Sequence, residues 1–422
     1  MDFIAVKSRF PALGNRPFRS FWLAQAVSLP GTWMQNLALP WLAYTLTGSP
    51  FLLGLVGAVQ FLPVMLLSLF AGALTDRLVK ARVVFTTQLI LTASSALLAV
   101  LVFTHTATYP ILLVVAFVLG LANTMDMPSR QAMVGELVGQ NLVMNAVALN
   151  SSVFNASRIV GPALAGVVMG AWGIGWCFAI NSLSFLPLLV VLTRLPRVLP
   201  AARTENTPDL WQAVKEGVRF VRHDKPVREV LVAVAIMGIL GFNFSVILPV
   251  LVKKTFALGE TDYGLLMSFM GAGSLVAALT LATRSRHGPR KGLLLVMPLA
   301  TAALFVALAF APWMPLVQGL MVLVGFSNVA FFTTANSFLQ VNSPLEYRGR
   351  VIAFYALLFA GTTPIGNLLS GALVEAGGPF LGFLVTGLLL LACFLVLRFV
   401  RGRAESRGPV PSRPPEPPAP RP

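Results

Sequence analysis

Gly120-Leu-Ala-Asn123-Thr-Met-Asp126 and, 205 residues further on, Gly325-Phe-Ser-Asn328-Val-Ala-Phe331 are two versions of one helical text. The same shift carries Ala148 onto Ala353, Gly161 onto Gly366 and Gly166 onto Gly371, each inside a strongly apolar run. Small and polar residues that recur at matched places in matched apolar segments are the mark of a duplication, so the chain reads as two similar halves in the same orientation.

Composition says what solvent those halves occupy. Hydrophobic residues make up 56% of the chain and charged residues only 11%, against about 25% charged in an ordinary soluble domain. Crossing a bilayer takes about 20 apolar residues per helix, and twelve stretches between residues 19 and 400 meet or approach that length. The expected fold is an all-α integral membrane protein, with twelve transmembrane helices in two six-helix bundles related by a parallel repeat. Many secondary transporters are built this way, with the substrate cavity between the halves near the bilayer midplane. The repeat therefore implies alternating access.

Assigning loops alternately to the two sides places Lys253 and Lys254 on one side, Arg158 within a span, and the remaining basic residues on the other side. By the positive-inside tendency that other side is cytoplasmic, so both termini are expected inside an inner (plasma) membrane that the chain crosses many times. The net charge of +16 follows from this topology and calls for no nucleic acid as partner. No cleavable signal is expected in residues 1–20, which carry Lys7, Arg9, Arg16 and Arg19. The domains read as an N-terminal bundle (1–193), a cytoplasmic linker (194–228), a C-terminal bundle (229–400) and a disordered Pro-rich cytoplasmic tail (401–422). Within the linker, Asp209 to Val221 has the pattern of an amphipathic helix. Cys177 and Cys393 are too few for a disulfide framework, the three His are scattered, and no GxxxxGK[ST] loop occurs. No metal, cofactor or enzymatic activity is expected.

Further motifs narrow the class. The loop Gly72-Ala-Leu-Thr-Asp76-Arg77-Leu-Val-Lys80-Ala-Arg82 resembles the signature loop of the major facilitator superfamily. Ser157-Arg-Ile-Val-Gly161-Pro162-Ala-Leu-Ala-Gly166 is similar to the gxxxGPxxGG motif of its antiporter branches. Pro128 to Ala132 and Val147 to Asn150 are similar to the subgroup of enterobactin exporters and macrolide efflux proteins. The resemblance implies a gating role for Gly72, Asp76, Arg77, Lys80 and Arg82. On physical grounds the Asp76 carboxylate can also cap a helix start and meet the neighbouring cations. Gly161 and Gly166 make the fifth helix thin enough for close contact and Pro162 loosens its ladder, a packing or hinge element.

The first helix carries Gln25, Ser28, Thr32, Gln35 and Asn36 on one face. Five hydrogen-bonding side chains are costly against lipid, so that face is expected to meet water, substrate or one another. The resemblance implies a cavity wall there, to which Asn123, Asn243, Asn328, Thr333 and Asn336 are added from other helices. Two charges remain. Counted from the shared inner loop at about 1.5 Å per residue, Asp126 and Arg158 both lie roughly 20 Å deep in adjacent helices. Charges at such depth seek a partner and mark function, and the second half has Phe331 and Thr363 at the matching places. They are expected to be apposed and to couple transport to protons. The expectation is a proton-coupled exporter of an amphipathic small molecule, a drug or siderophore, acting as a monomer. The alternatives are an uptake or facilitated-diffusion carrier, and a scaffold or sensor that has lost transport.

Overall fold

The computed structural model describes residues 10–195, 210–284 and 290–406 of the 422. A 3-10 turn, Pro11–Gly14, leads into α1 (Arg16–Thr47), α2 (Pro50–Arg77), α3 (Lys80–Phe103), α4 (Tyr109–Val138) and α5 (Val143–Trp172). The sixth passage is broken into α6 (Ile174–Ser184) and α7 (Leu186–Arg194), where Pro187 removes an interior hydrogen bond. A short helix, α8 (Leu210–His223), precedes the second half: α9 (Lys225–Leu240), α10 (Phe244–Val250) with a π turn at Leu251–Thr255, α11 (Glu260–Arg284) and α12 (Leu293–Ala309). It ends with α13 (Met314–Asn342), α14 (Leu345–Ala360) and α15 (Thr363–Ser406). Among the described residues there is no strand.

Each half opens with the same local chemistry. Asn15 caps α1, its side chain accepting from the Phe18 amide at 3.1 Å, and Asp224 caps α9 by accepting from the Val227 amide at 3.0 Å. In both, a proline follows in the first turn, where a missing N–H costs nothing.

Nine stretches among the described residues are long and apolar enough to cross a membrane. The polar stripe keeps α1 below that threshold, and α12 is short at 17 residues. The last stretch, of 55 residues, is two passages: it turns at Gly377 and Gly378, and Gly378 has φ +70°, a left-handed conformation open to glycine without strain. The architecture is consistent with the twelve passages expected.

The halves repeat in packing as well as in sequence. In the first, α5 lies on α1, α2 on α4, and α3 on α4 and α6; in the second, α15 lies on α9, α11 on α13, and α12 on α13 and α15.

Residues 196–209 of the expected linker and 407–422 of the expected tail lie outside the described residues. Arg401–Ser406 continue α15 as helix, where the disordered Pro-rich tail was expected to begin at 401. The run Arg-Gly-Arg-Ala-Glu-Ser contains no proline to stop it, and the first proline of the tail is Pro409.

Candidate functional site

The two halves meet along two seams, α5 against α11 and α2 against α15. Glycine makes both possible. A Cβ on Gly264 would lie 2.5 Å from the Gly166 Cα and 2.6 Å from the Pro162 carbonyl oxygen, so the two backbones touch. Thr261 and Ser268 stitch this seam by donating to the Gly166 and Ile159 carbonyls, both at 3.2 Å. In the other seam a Cβ on Gly54 would lie 2.5 Å from the Asn367 carbonyl oxygen. Polar contacts rim the same side: the Trp41 indole donates to Glu260 at 3.1 Å, Ser49 and the Phe51 amide donate to Glu375 at 2.8 and 3.0 Å, and Lys253 donates to Thr45 at 3.2 Å.

The opposite side carries the start of α1, tied to the α4–α5 turn through Ala12 to Asn145 at 3.1 Å and Asn15 to the Leu137 carbonyl at 2.8 Å. There no ion pair among the described residues joins the two halves: Lys80 meets Glu136 at 3.3 Å in the first, and Arg350 of the second meets Glu216 of the linker helix α8 at 2.8 Å. Below the seam, Ser151, Ser152 and Phe154 of α5 are exposed. The hydrogen bonds between the halves thus gather toward the end away from the start of α1.

In the first half, Gln35, Ser95 and Asn181 form a buried polar knot. The Gln35 carbonyl oxygen accepts from the Ser95 hydroxyl at 2.5 Å and from the Asn181 amide at 2.7 Å. A small cavity of about 20 Å³ opens beside it, lined also by Thr32, Asn36, Gln60 and Asn123. That volume suits about one water molecule. Of the α1 stripe, Thr32 and Asn36 thus reach the cavity, while Ser28 turns back onto the Gln25 carbonyl and Gln25 is buried with its side-chain oxygen unpartnered. Asn243 bonds back to the Ile239 carbonyl and Asn328 donates to the Gly241 carbonyl at 3.0 Å, so both pin the break between α9 and α10. Thr333 is exposed, and Asn336 accepts from Gln340 on its own helix. The knot residues Ser95 and Asn181, and Gln60, escape sequence reading because spacing along one helix does not show which polar residues of other helices they will meet.

The expected Asp126–Arg158 pair is not formed. The buried Asp126 carboxylate accepts from Thr87 at 2.7 Å and Gln88 at 3.0 Å on α3, and takes a two-pronged contact from Arg130 at 3.0 and 2.6 Å, one turn along its own helix. The reason is direction. α4 packs chiefly on α2 and α3, whereas α5 packs on α1 and across the seam on α11, so residues of equal depth look away from each other. Arg158 instead lies over the Trp33 ring, 5.9 Å from its centroid.

Of the expected gate, the surroundings of Gly72 and the side chains of Asp76 and Arg77 lie outside what is described. Lys80 is buried and bonded to Glu136, and Arg82 is exposed. Arg82 edges a cleft of about 390 Å³ between α3 and α4, walled by Leu78, Ile90, Val118 and Leu121. Gly161 packs on α1, where a Cβ would lie 2.9 Å from the Pro30 carbonyl oxygen, and Gly166 forms the seam. Among the described residues no group of three or more His, Cys, Asp or Glu could hold a metal.

Known proteins place this geometry. The chain is 24% identical over 373 residues to a staphyloferrin A transporter of Staphylococcus aureus, covering 88% of this chain and 92% of the relative. It is 27% identical over 380 residues to the multidrug efflux pump Tap of Mycolicibacterium fortuitum, with the same coverage. It is 22% identical over 390 residues to macrolide efflux protein A of Streptococcus pyogenes, covering 90% and 94%. In fold it matches the nucleoside transporter NupG with a TM-score of 0.73 at 12% identity, over 92% of this chain and 98% of that one. It also matches a bacterial homologue of the lysosomal transporter Spinster, in an inward-facing and unoccupied conformation, with a TM-score of 0.69 at 11% identity, over 94% and 98%. The transmembrane secretion effector family matches residues 7–419, and the chain, whose two helical halves pack along two seams, belongs to that family, as a multi-pass membrane transporter of the major facilitator type.

Proposed function

We propose that the chain exports an amphipathic small molecule across the cytoplasmic membrane by alternating access, driven by protons, with both termini inside. The observation that carries this reading is the one-sided closure. Helix pairs α5–α11 and α2–α15 touch backbone to backbone at the end away from the termini, while among the described residues no inner-side ion pair joins the two halves. A cycle would break the glycine seams and bring the inner ends together, exposing one central space to each side in turn. Export, and a drug-like or siderophore substrate, are suggested by what the relatives at 22–27% identity are named for.

Asp126 is the proposed proton site, with Arg130 as its counter-ion. As a carboxylate it can hold Thr87, Gln88 and Arg130 together. Once protonated it loses the charge that orients the guanidinium, and Arg130 is free to follow the moving half-bundle. The Asp76 loop and Lys80–Glu136 would bias the inner gate. The test is efflux from a pump-deficient host over a broad compound set. Uptake into everted vesicles of any compound so found is then measured with an imposed pH gradient. The proposal expects gradient-driven uptake by the wild type, its loss in Asp126→Asn, and retained downhill exchange. Uphill pumping by Asp126→Asn at the wild-type rate would remove Asp126 as the proton site.

A further inference from the structure

Among the described residues Arg158 has no counter-ion, and its surroundings offer none. It sits at the meeting of α1, α5 and α11: its carbonyl oxygen would lie 2.8 Å from a Cβ on Gly271, and its guanidinium lies over the Trp33 ring. Neither α1 nor α5 contains an acidic residue. On α11 the acids are Glu260 and Asp262, at the outer end, more than about 13 Å along the axis from Gly271. Asp126 and Glu136 are held by Arg130 and Lys80. The Arg158 Nε is fully buried without a hydrogen-bond partner, while the side chain as a whole keeps partial exposure.

A lone guanidinium this deep in a membrane protein is costly unless it faces a water-filled space and a partner arrives there. Arg158 stands at the inner edge of the α5–α11 seam, where the halves begin to part and Ser151, Ser152 and Phe154 line the exposed stretch of α5. Trp33 and Phe154 meet edge to face at 5.8 Å, making an aromatic wall beside the charge. The planar fork of arginine matches a carboxylate with two parallel hydrogen bonds, and an aromatic wall takes the apolar body of the same molecule.

We infer that Arg158, with Trp33 and Phe154, is an anion-recognising subsite, and that the transported molecule is an amphipathic carboxylate whose charge docks on Arg158. This rests on the transport reading above. It assigns Arg158 to substrate rather than to the proton.

The test uses the purified full-length chain in detergent micelles and two matched probes, 1-pyrenebutyrate and its neutral amide 1-pyrenebutyramide. Binding is measured calorimetrically against protein-free micelles. A hydrogen-bonded contact with a charged group predicts that the wild type binds the carboxylate about ten- to a hundredfold more tightly than the amide. Arg158→Gln should bring the carboxylate down to the amide level while moving amide affinity less than about twofold, and Arg158→Lys should fall between. Equal binding of the two probes by the wild type, no measurable binding of the carboxylate, or an equal loss for both probes in Arg158→Gln would overturn the inference. Should Arg158→Gln fail to fold, the wild-type ratio and Arg158→Lys decide the matter. A carboxylate preference in a chain that moves nothing in vesicles would sink the transport reading and leave this subsite in place.

Discussion

Breaking the Asp126–Arg130 contact from each side, and from both, separates what the two residues do for folding from what Asp126 does for transport. The side chains keep only 8% and 14% of their surface, and the contact is two-pronged. Removing one member of such a pair strands the other, at a cost of about 3–5 kcal/mol. The neutral bonds from Thr87 and Gln88 are worth about 0.6 kcal/mol each by membrane-protein averages, so they cannot compensate. Asp126→Asn keeps an acceptor for Thr87 and Gln88 but turns an amide N–H toward the guanidinium. Arg130→Gln leaves a buried carboxylate with two neutral donors. Each single change should therefore cost about 3 kcal/mol and the double change little more, a coupling energy of about 2–3 kcal/mol. The same cycle between Asp126 and Arg158 should give less than about 0.5 kcal/mol, since they share no contact. The assay is reversible unfolding of the full chain by sodium dodecyl sulfate in mixed micelles. Additive costs for Asp126 and Arg130, or a coupling to Arg158 of similar size, would refute the assignment of partners.

Three further outcomes follow from other parts of the molecule. In a cysteine-free background, Thr106→Cys and Thr255→Cys should react with an impermeant thiol reagent applied from outside, and Arg82→Cys and Arg290→Cys only after permeabilisation; all four positions are exposed, so reversed labelling would invert the topology. Gly264→Val puts side-chain atoms where the Gly166 backbone lies, and should pry open the outer seam, raising the reactivity of a Ser268→Cys reporter to the outside reagent; an unchanged reactivity with unchanged transport would show that the seam tolerates the group. Gln35→Leu removes the acceptor shared by Ser95 and Asn181 and should cost about 1–3 kcal/mol by leaving donors unpaired, read in the same unfolding assay; a change below about 0.5 kcal/mol would mean the knot re-pairs without it.

How far the chain could be read follows from what kind of information each feature carries. Gly120 and Gly325, Gly161 and Gly366, Gly166 and Gly371 are matched along the chain, and the apolar runs that hold them have the length of a bilayer, so duplication, span and class are written in one dimension. The facilitator-like loop and the Gly161–Pro162 motif add the superfamily, which the match over residues 7–419 bears out. The i to i+4 spacing of Asp126 and Arg130 was also there to be read, as a pair one helical turn apart. Depth, too, is a count of residues, and it placed Asp126 and Arg158 level with each other. What a side chain faces is set by the rotation of its helix and by the neighbours that helix chooses. With α4 turned to α3 and α5 turned to α1 and α11, Asp126 found Thr87, Gln88 and Arg130, while Arg158 came to rest on Trp33. The Gln35–Ser95–Asn181 knot has the same character, because polar residues on three helices become a site only when packing points them at one another. Sequence alone determined the solvent, the repeat and the family; tertiary structure decided the partners, since facing belongs to packed helices and to no single one.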